Sequence, residues 1–411
     1  MEAETTRLSN GLPVHMIRSG KQPVVGIEVI FPGGGVRFEE KNGAAFFAVK
    51  MLSEGTASLS AHAVSDTIDS YGAFLQLIPG LDLASADLYM LSKHVHSLFG
   101  LLRDLLTEAA FPEEELENFR NIRRQQLNVN EQRSGALASR HFKAALFGEA
   151  HPYGKSLTHT DIDAISREDL LSFFRHNLLH RMEIIVSGDV NTEVLQALED
   201  HFGDLPVVQT QTMGELPQPR LMPEKRLLIE KPANLQSSIR IGCRSISKHH
   251  PDFHKLRVLN TVFGGYFGSR LMRNIREEKG LTYGINSGLI AMADAAYFII
   301  GTDVKKELTQ LAIDEIYHEM RRLQEELLPD TELNTVKNYM AGRLLSSVDT
   351  PFALAEKFRN THFYGLTYDF YKDYLNTINT IDAATLRELA RRYLQPENMR
   401  EVVVGGYRAD R

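Results

Sequence analysis

A single cysteine, Cys243, excludes an intrachain disulfide and any cysteine-ligated zinc site. Its neighbours, residues 239–242, have the pattern of a strand, so the thiol is expected to be buried and structural. No apolar run approaches the ~18 residues that a membrane helix needs. The opening stretch MEAETTRLSNGL holds no apolar signal-peptide core. A cytoplasmic chain is expected, or a periplasmic one if a leader has been removed, with no membrane partner. Excess basic charge is also missing: 46 Lys and Arg stand against 53 Asp and Glu, a net charge of −7. That balance argues against a nucleic-acid surface. The pairs Arg123-Arg124, Arg321-Arg322 and Arg391-Arg392 sit in helical patterns beside acids and read as solvated faces. A Gly-x-Ser-x-Gly elbow is absent, and Gly264, Gly265 and Gly268 lack the Gly-Lys-Ser/Thr that a phosphate loop requires.

What is present is a repeat. At 411 residues the chain is long enough for two domains. Two strand-like runs fill residues 12–31, and a helix is expected from Gly43 through Leu52, with Ala44, Phe47, Ala48, Met51 and Leu52 at helical spacing. A helix at 65–71, strands at 73–78 and 84–91, and helices at 94–109 and 112–130 follow. Pro112 and the acids after it suit a helix start, and Ser166 with Asp169 has the form of a capping box. FPEEELENFRNIRRQQL near Phe111 is echoed by LPDTELNTVKNYMAGRLL near Leu328. Pro112 pairs with Pro329, Met182 with Met399 and Gly188 with Gly405, each about 217 positions apart. A constant offset of half the chain implies two copies of one fold. The expected division is an N-terminal domain at 1–208, a polar linker at 209–224 and a C-terminal domain at 225–411. Strands mixed with long helices, without regular alternation, indicate an α+β class in which a mostly antiparallel sheet packs with helices in each copy.

The order of NGLPVHMI, GAAFFAVKML with EGT, PYG at Pro152, GDV at Gly188, SRL with IREEKGLTY from Ser269, and the final VVVGG resembles the family of insulinase, pitrilysin and mitochondrial processing peptidase. The resemblance covers essentially the whole chain. In active members a His-x-x-Glu-His helix carries two zinc ligands and a general base, and a later helix supplies a glutamate. Laid on that pattern, Phe46 and Lys50 stand at the histidines and Val49 at the base. Gln126, 76 positions beyond Lys50, stands at the third ligand. None of the four can build the site, so no metal is expected in this chain.

The resemblance implies a different role for Arg276 and Tyr283, seven positions apart around Gly280. In relatives such a pair lies in the half opposite the zinc, where Tyr283 would hydrogen-bond a scissile carbonyl or oxyanion. Arg276 would anchor the substrate backbone or orient the tyrosine. The implied protein is a subunit inactive alone, paired with a zinc-bearing homologous subunit around an unfolded peptide; two copies could also form an inert homodimer. The alternatives are a catalytically inert structural or peptide-binding homologue, and a stand-alone peptidase using another metal site. For the last, His176 with His180, and His249, His250 and His254, are the histidine groupings visible in sequence. Both read as solvent-facing.

Overall fold

The computed structural model describes residues 3–19, 22–179, 182–206 and 216–407. The first half of the chain runs β1 (Glu4–Arg7), β2 (Pro13–Arg18), β3 (Val24–Phe31), α1 (Ala44–Lys50), α2 (Ala61–Ser70), β4 (Phe74–Ile78) and β5 (Ala84–Leu91). It continues through α3 (Val95–Thr107), α4 (Glu113–Gln132), α5 (Ser134–Phe147), α6 (His159–Ala164), α7 (Arg167–Phe173), β6 (Glu183–Gly188) and α8 (Thr192–Phe202). The second half runs β7 (Arg226–Glu230), β8 (Gln236–Ser245), α9 (Phe253–Asn260), a π-helical segment (Met272–Glu278), β9 (Thr282–Ala291) and β10 (Ala296–Lys305). It ends with α10 (Thr309–Glu325), α11 (Asp330–Ser346), α12 (Pro351–His362), α13 (Asp369–Thr380), α14 (Ala383–Tyr393) and β11 (Arg400–Gly405). The expected α1 is one turn shorter than its apolar spacing suggested, because Met51–Ser53 tightens into a 3₁₀ turn. The capping box forms as the sequence indicated, with the Ser166 hydroxyl accepting from the Asp169 amide and the Asp169 carboxylate accepting from the Ser166 amide. Among the described residues no helix is long and apolar enough to cross a membrane.

The two sheets share one topology. The first has the order β1-β2-β6-β3-β5-β4 and the second β7-β11-β8-β10-β9. Shifting the first set by the repeat superposes β6 on β11, β3 on β8 and β5 on β10, with β1 as an added edge. In each sheet one pair is parallel, β2 with β6 and β7 with β11, and the rest are antiparallel.

Packing regroups the chain relative to its order. One compact unit comprises residues 1–127, 157–216 and 347–365, and the other 128–156, 217–346 and 366–411. The expected divide at 208 to 225 follows chain order. The regrouped pieces are α5, which lies on β8 and β11, and its repeat mate α12, which lies on β2 and β6. The reason is apolar burial: α5 buries Ala138, Phe142, Ala145, Leu146 and Phe147, and α12 buries Ala355 and Phe358. Each sheet supplies a glycine beneath the helix. A Cβ at Gly242 would meet the Phe142 ring at 2.9 Å, and one at Gly26 would meet Phe352 at 3.1 Å. Each unit has its own apolar core, one built around Phe31, Phe47, Phe99 and Phe111, the other around Phe263, Phe298 and Met320.

Candidate functional site

Helix α1 places Phe46 and Lys50 one turn apart, as a metal-binding helix would place two ligands. The side chains instead fill the position with an aromatic and two cations. The Phe46 ring stacks on Phe119 at 6.1 Å and meets Phe47 edge-on at 5.9 Å. The Arg123 guanidinium lies 4.3 Å from its centroid and donates to Gln126 Oε1 at 3.0 Å. Lys50 Nζ donates to the Leu77 carbonyl of edge strand β4 at 2.6 Å. Val49 is fully buried in the core. These residues do not fit a zinc ion: they offer no imidazole or carboxylate and bring two positive charges. Arg123 was expected on a solvated face. Only Arg124 behaves that way, bridging Glu117 and Asp163, whereas Arg123 is drawn onto Phe46 and its pKa is lowered by burial.

The second stretch behaves differently. Arg276 leaves the π-helical segment Met272–Glu278, half-buried, with its guanidinium 4.7 Å from the exposed Phe267 ring. Among the described residues it pairs with neither Glu277 nor Glu278 and forms no hydrogen bond to Tyr283. Gly280, at φ +62°, turns the chain into β9. Leu281 then goes into the core while Tyr283 is 95% exposed.

A bulge explains that exposure. In the β9–β10 ladder Ile285 opposes Thr302 and Thr282 opposes Val304, so Tyr283 and Gly284 together face Asp303. Strict alternation would put Tyr283 on the face of Ile285 and Ser287, which are buried; the extra residue re-aims it into solvent. Two threonines pin the bulge. Thr282 Oγ1 donates to the Asp303 carbonyl at 2.7 Å and accepts from the Gly284 amide at 3.2 Å, while Thr302 Oγ1 donates to the Gly284 carbonyl at 3.0 Å. Tyr283 stands at a shallow groove of about 570 Å³ floored by Gly288 and Gly301, with Arg240, Asn286 and Asp303 along it. The free edge of β9 borders the same sheet.

Among the described residues, the histidines visible in sequence do not assemble a metal site. His176 Nδ1 bonds the Ser172 carbonyl, and His180 lies outside the described residues. His250 Nδ1 accepts from the Asp252 amide. His254 packs against Phe370 and Tyr374, and burial, with help from Arg257, lowers its pKa to about 4. Cys243 is buried on β8 as expected, its thiol pushed up to about 11 by burial. What sequence reasoning missed is a cluster of His15, Glu183 and His362, the one three-residue group of metal-ligating type among the described residues. Its members lie 168 and 179 positions apart, so no local spacing signals it.

Two copies of one sheet-and-helix unit make up the chain, and on α1 an aromatic–cation stack covers the face that Phe46 presents. The insulinase (peptidase family M16) model matches residues 14–161, and that of the peptidase M16 inactive domain matches residues 164–340. The chain belongs to the insulinase, or M16, family. It is 25% identical over 369 residues to an uncharacterized zinc protease of Bacillus subtilis (strain 168), covering 88% of each chain. To a probable mitochondrial-processing peptidase subunit beta of Arabidopsis thaliana it is 23% identical, covering 98% of this chain and 78% of that one. A peptidase M16 inactive domain from Pseudomonas fluorescens shares its fold at a TM-score of 0.88 and 22% identity, over 100% of both chains. A chain of complex III2 from Candida albicans does so at 0.75 and 14% identity, over 98% of this chain and 96% of that one.

Proposed function

We propose that this chain is the non-zinc-binding subunit of a heterodimeric metallopeptidase, presenting Tyr283 and Arg276 in trans to a homologous zinc-bearing subunit. One observation carries the reading: a bulge held by two threonines turns a tyrosine out of its expected inward position into solvent, beside an open groove and a free strand edge. A tyrosine with only a packing role gains nothing from that device. An extended peptide would add along an exposed sheet edge through main-chain hydrogen bonds. The Tyr283 hydroxyl would then donate to the carbonyl oxygen as it gains negative charge, and Arg276 would hold a backbone carbonyl of the peptide. The nucleophile would come from the partner's zinc, because Phe46, Val49, Lys50 and Gln126 offer no zinc ligands on this chain's α1 and α4.

The test is a peptidase assay on this chain, on a zinc-bearing homologue and on their mixture. Activity is expected in the mixture alone. Tyr283→Phe should lower turnover about 10²–10³-fold without loss of association, the usual effect of deleting one oxyanion donor. Unchanged turnover in that variant sinks the role of Tyr283. The second reading, an inert structural subunit, is favoured by the filled metal position; association without activity in the mixture would establish it.

A further inference from the structure

We propose that His15, Glu183 and His362 form a divalent transition-metal site, with Zn²⁺ as the favoured ion, at a place unrelated to α1. His15 lies on β2, Glu183 begins β6 and His362 ends α12. All three belong to the unit built on the first sheet. His15 Nε2 stands 2.9 Å from Glu183 Oε2, and His362 Nε2 stands 2.8 Å from the same oxygen. The two imidazole rings are 4.5 Å apart, centroid to centroid. Two ring nitrogens and a carboxylate oxygen therefore converge on one point.

The donor set is two histidines and one glutamate, which binds zinc while leaving a fourth position open. Ligand atoms at zinc–ligand distances of 2.0–2.1 Å stand roughly 3.3 Å apart around a tetrahedral ion. Movements of about 0.5 Å would admit the cation between groups that now share protons. The surroundings favour that exchange. Thr5 Oγ1 bonds His15 Nδ1 at 2.9 Å, fixing the ring and directing Nε2 at the cluster. Phe358 lies 4.7 Å from the His15 ring and 4.9 Å from the His362 ring, giving the site an apolar wall. Both histidine nitrogens already meet one carboxylate oxygen, Glu183 Oε2. His15 is fully enclosed, whereas the side chains of Glu183 and His362 are 28% and 37% exposed. Solvent thus reaches the open position. A bound ion would fasten the end of α12 to two strands of the sheet it covers.

The test starts from chain stripped of metal by chelation and dialysed against Zn²⁺. Wild type should take up one equivalent, seen by titration calorimetry and by elemental analysis. Co²⁺ in its place should give the visible absorption of a four-coordinate site. His362→Ala should weaken binding at least tenfold and abolish that absorption. Glu183→Gln, which keeps shape and hydrogen bonding, should do the same, and circular dichroism confirms that both variants fold. Wild type that retains no zinc would show the cluster to be a proton-sharing clasp and overturn the proposal. Stoichiometric zinc surviving both substitutions would place the ion elsewhere and overturn it equally. Neither outcome depends on peptidase activity or on a partner subunit.

Discussion

Replacing Glu28 by glutamine should make the attachment of α12 less sensitive to pH. Glu28 sits on β3, 2% exposed, and receives Arg359 Nη1 of α12 at 3.0 Å. Asp87 on β5 shares the same guanidinium nitrogen at 3.4 Å. Two buried carboxylates thus depend on one cation. Burial, then the charge of Asp87, raise Glu28 from an ordinary 4.5 to about 7 against the pull of Arg359. Because its folded pKa lies above its unfolded one, the native state binds more protons between those two values. Stability from this group is therefore greatest below about pH 4.5 and is lost as pH rises through 7. A gap of about 2.5 units corresponds to roughly 3 kcal/mol. Amide hydrogen exchange along α12 and β3 reads the opening free energy at each pH after correction for intrinsic exchange. Wild type should lose ~2–3 kcal/mol between pH 5 and pH 8 relative to Glu28→Gln. A difference between the two proteins that does not change with pH would refute the assignment.

Reintroducing ligands by Phe46→His, Val49→Glu, Lys50→His and Gln126→Glu should give weak zinc binding, because Arg123 still occupies the space; adding Arg123→Ala should strengthen it at least tenfold by calorimetry. Phe358→Ala should destabilise the first-sheet unit by ~3–5 kcal/mol, since it removes a buried ring from the base of α12, measurable as faster exchange there. Cys243 should resist thiol reagents at pH 8 in native protein and react at once in denaturant, as its burial and raised pKa require.

The sequence shows the parts of this molecule that depend on local spacing. Pro112, the Ser166–Asp169 cap and the 217-residue offset mark element ends and the duplication, because each acts within one turn or through simple repetition. Phe46, Val49, Lys50 and Gln126 are readable as losses of ligand chemistry. What took their place is not readable, because the Arg123–Phe46 stack joins two helices and an arginine beside acids looks solvated from sequence. Tyr283 was singled out by motif, yet its exposure comes from a one-residue mismatch between two strands. Strand periodicity alone would have placed it inside. Arg276 sits in the same motif but meets Phe267 rather than Tyr283, a pairing set by the π-helical turn. His15, Glu183 and His362 were invisible because the site is assembled by a helix that leaves its own half of the chain.

That exchange of helices has a bearing on ancestry and on folding. α5 and α12 are mates under the internal repeat, and each completes the sheet of the opposite half. Fusing the two subunits of a domain-swapped homodimer, end to end, would leave this arrangement. A half-length ancestor could then have been a stable pair before it was a single gene product. For the present chain, residues 1–208 synthesised alone should hold a sheet without α12 over β2 and β6. Nicking the polypeptide between 207 and 215 should leave the two fragments associated, whereas either fragment made separately should be trapped with an uncovered sheet.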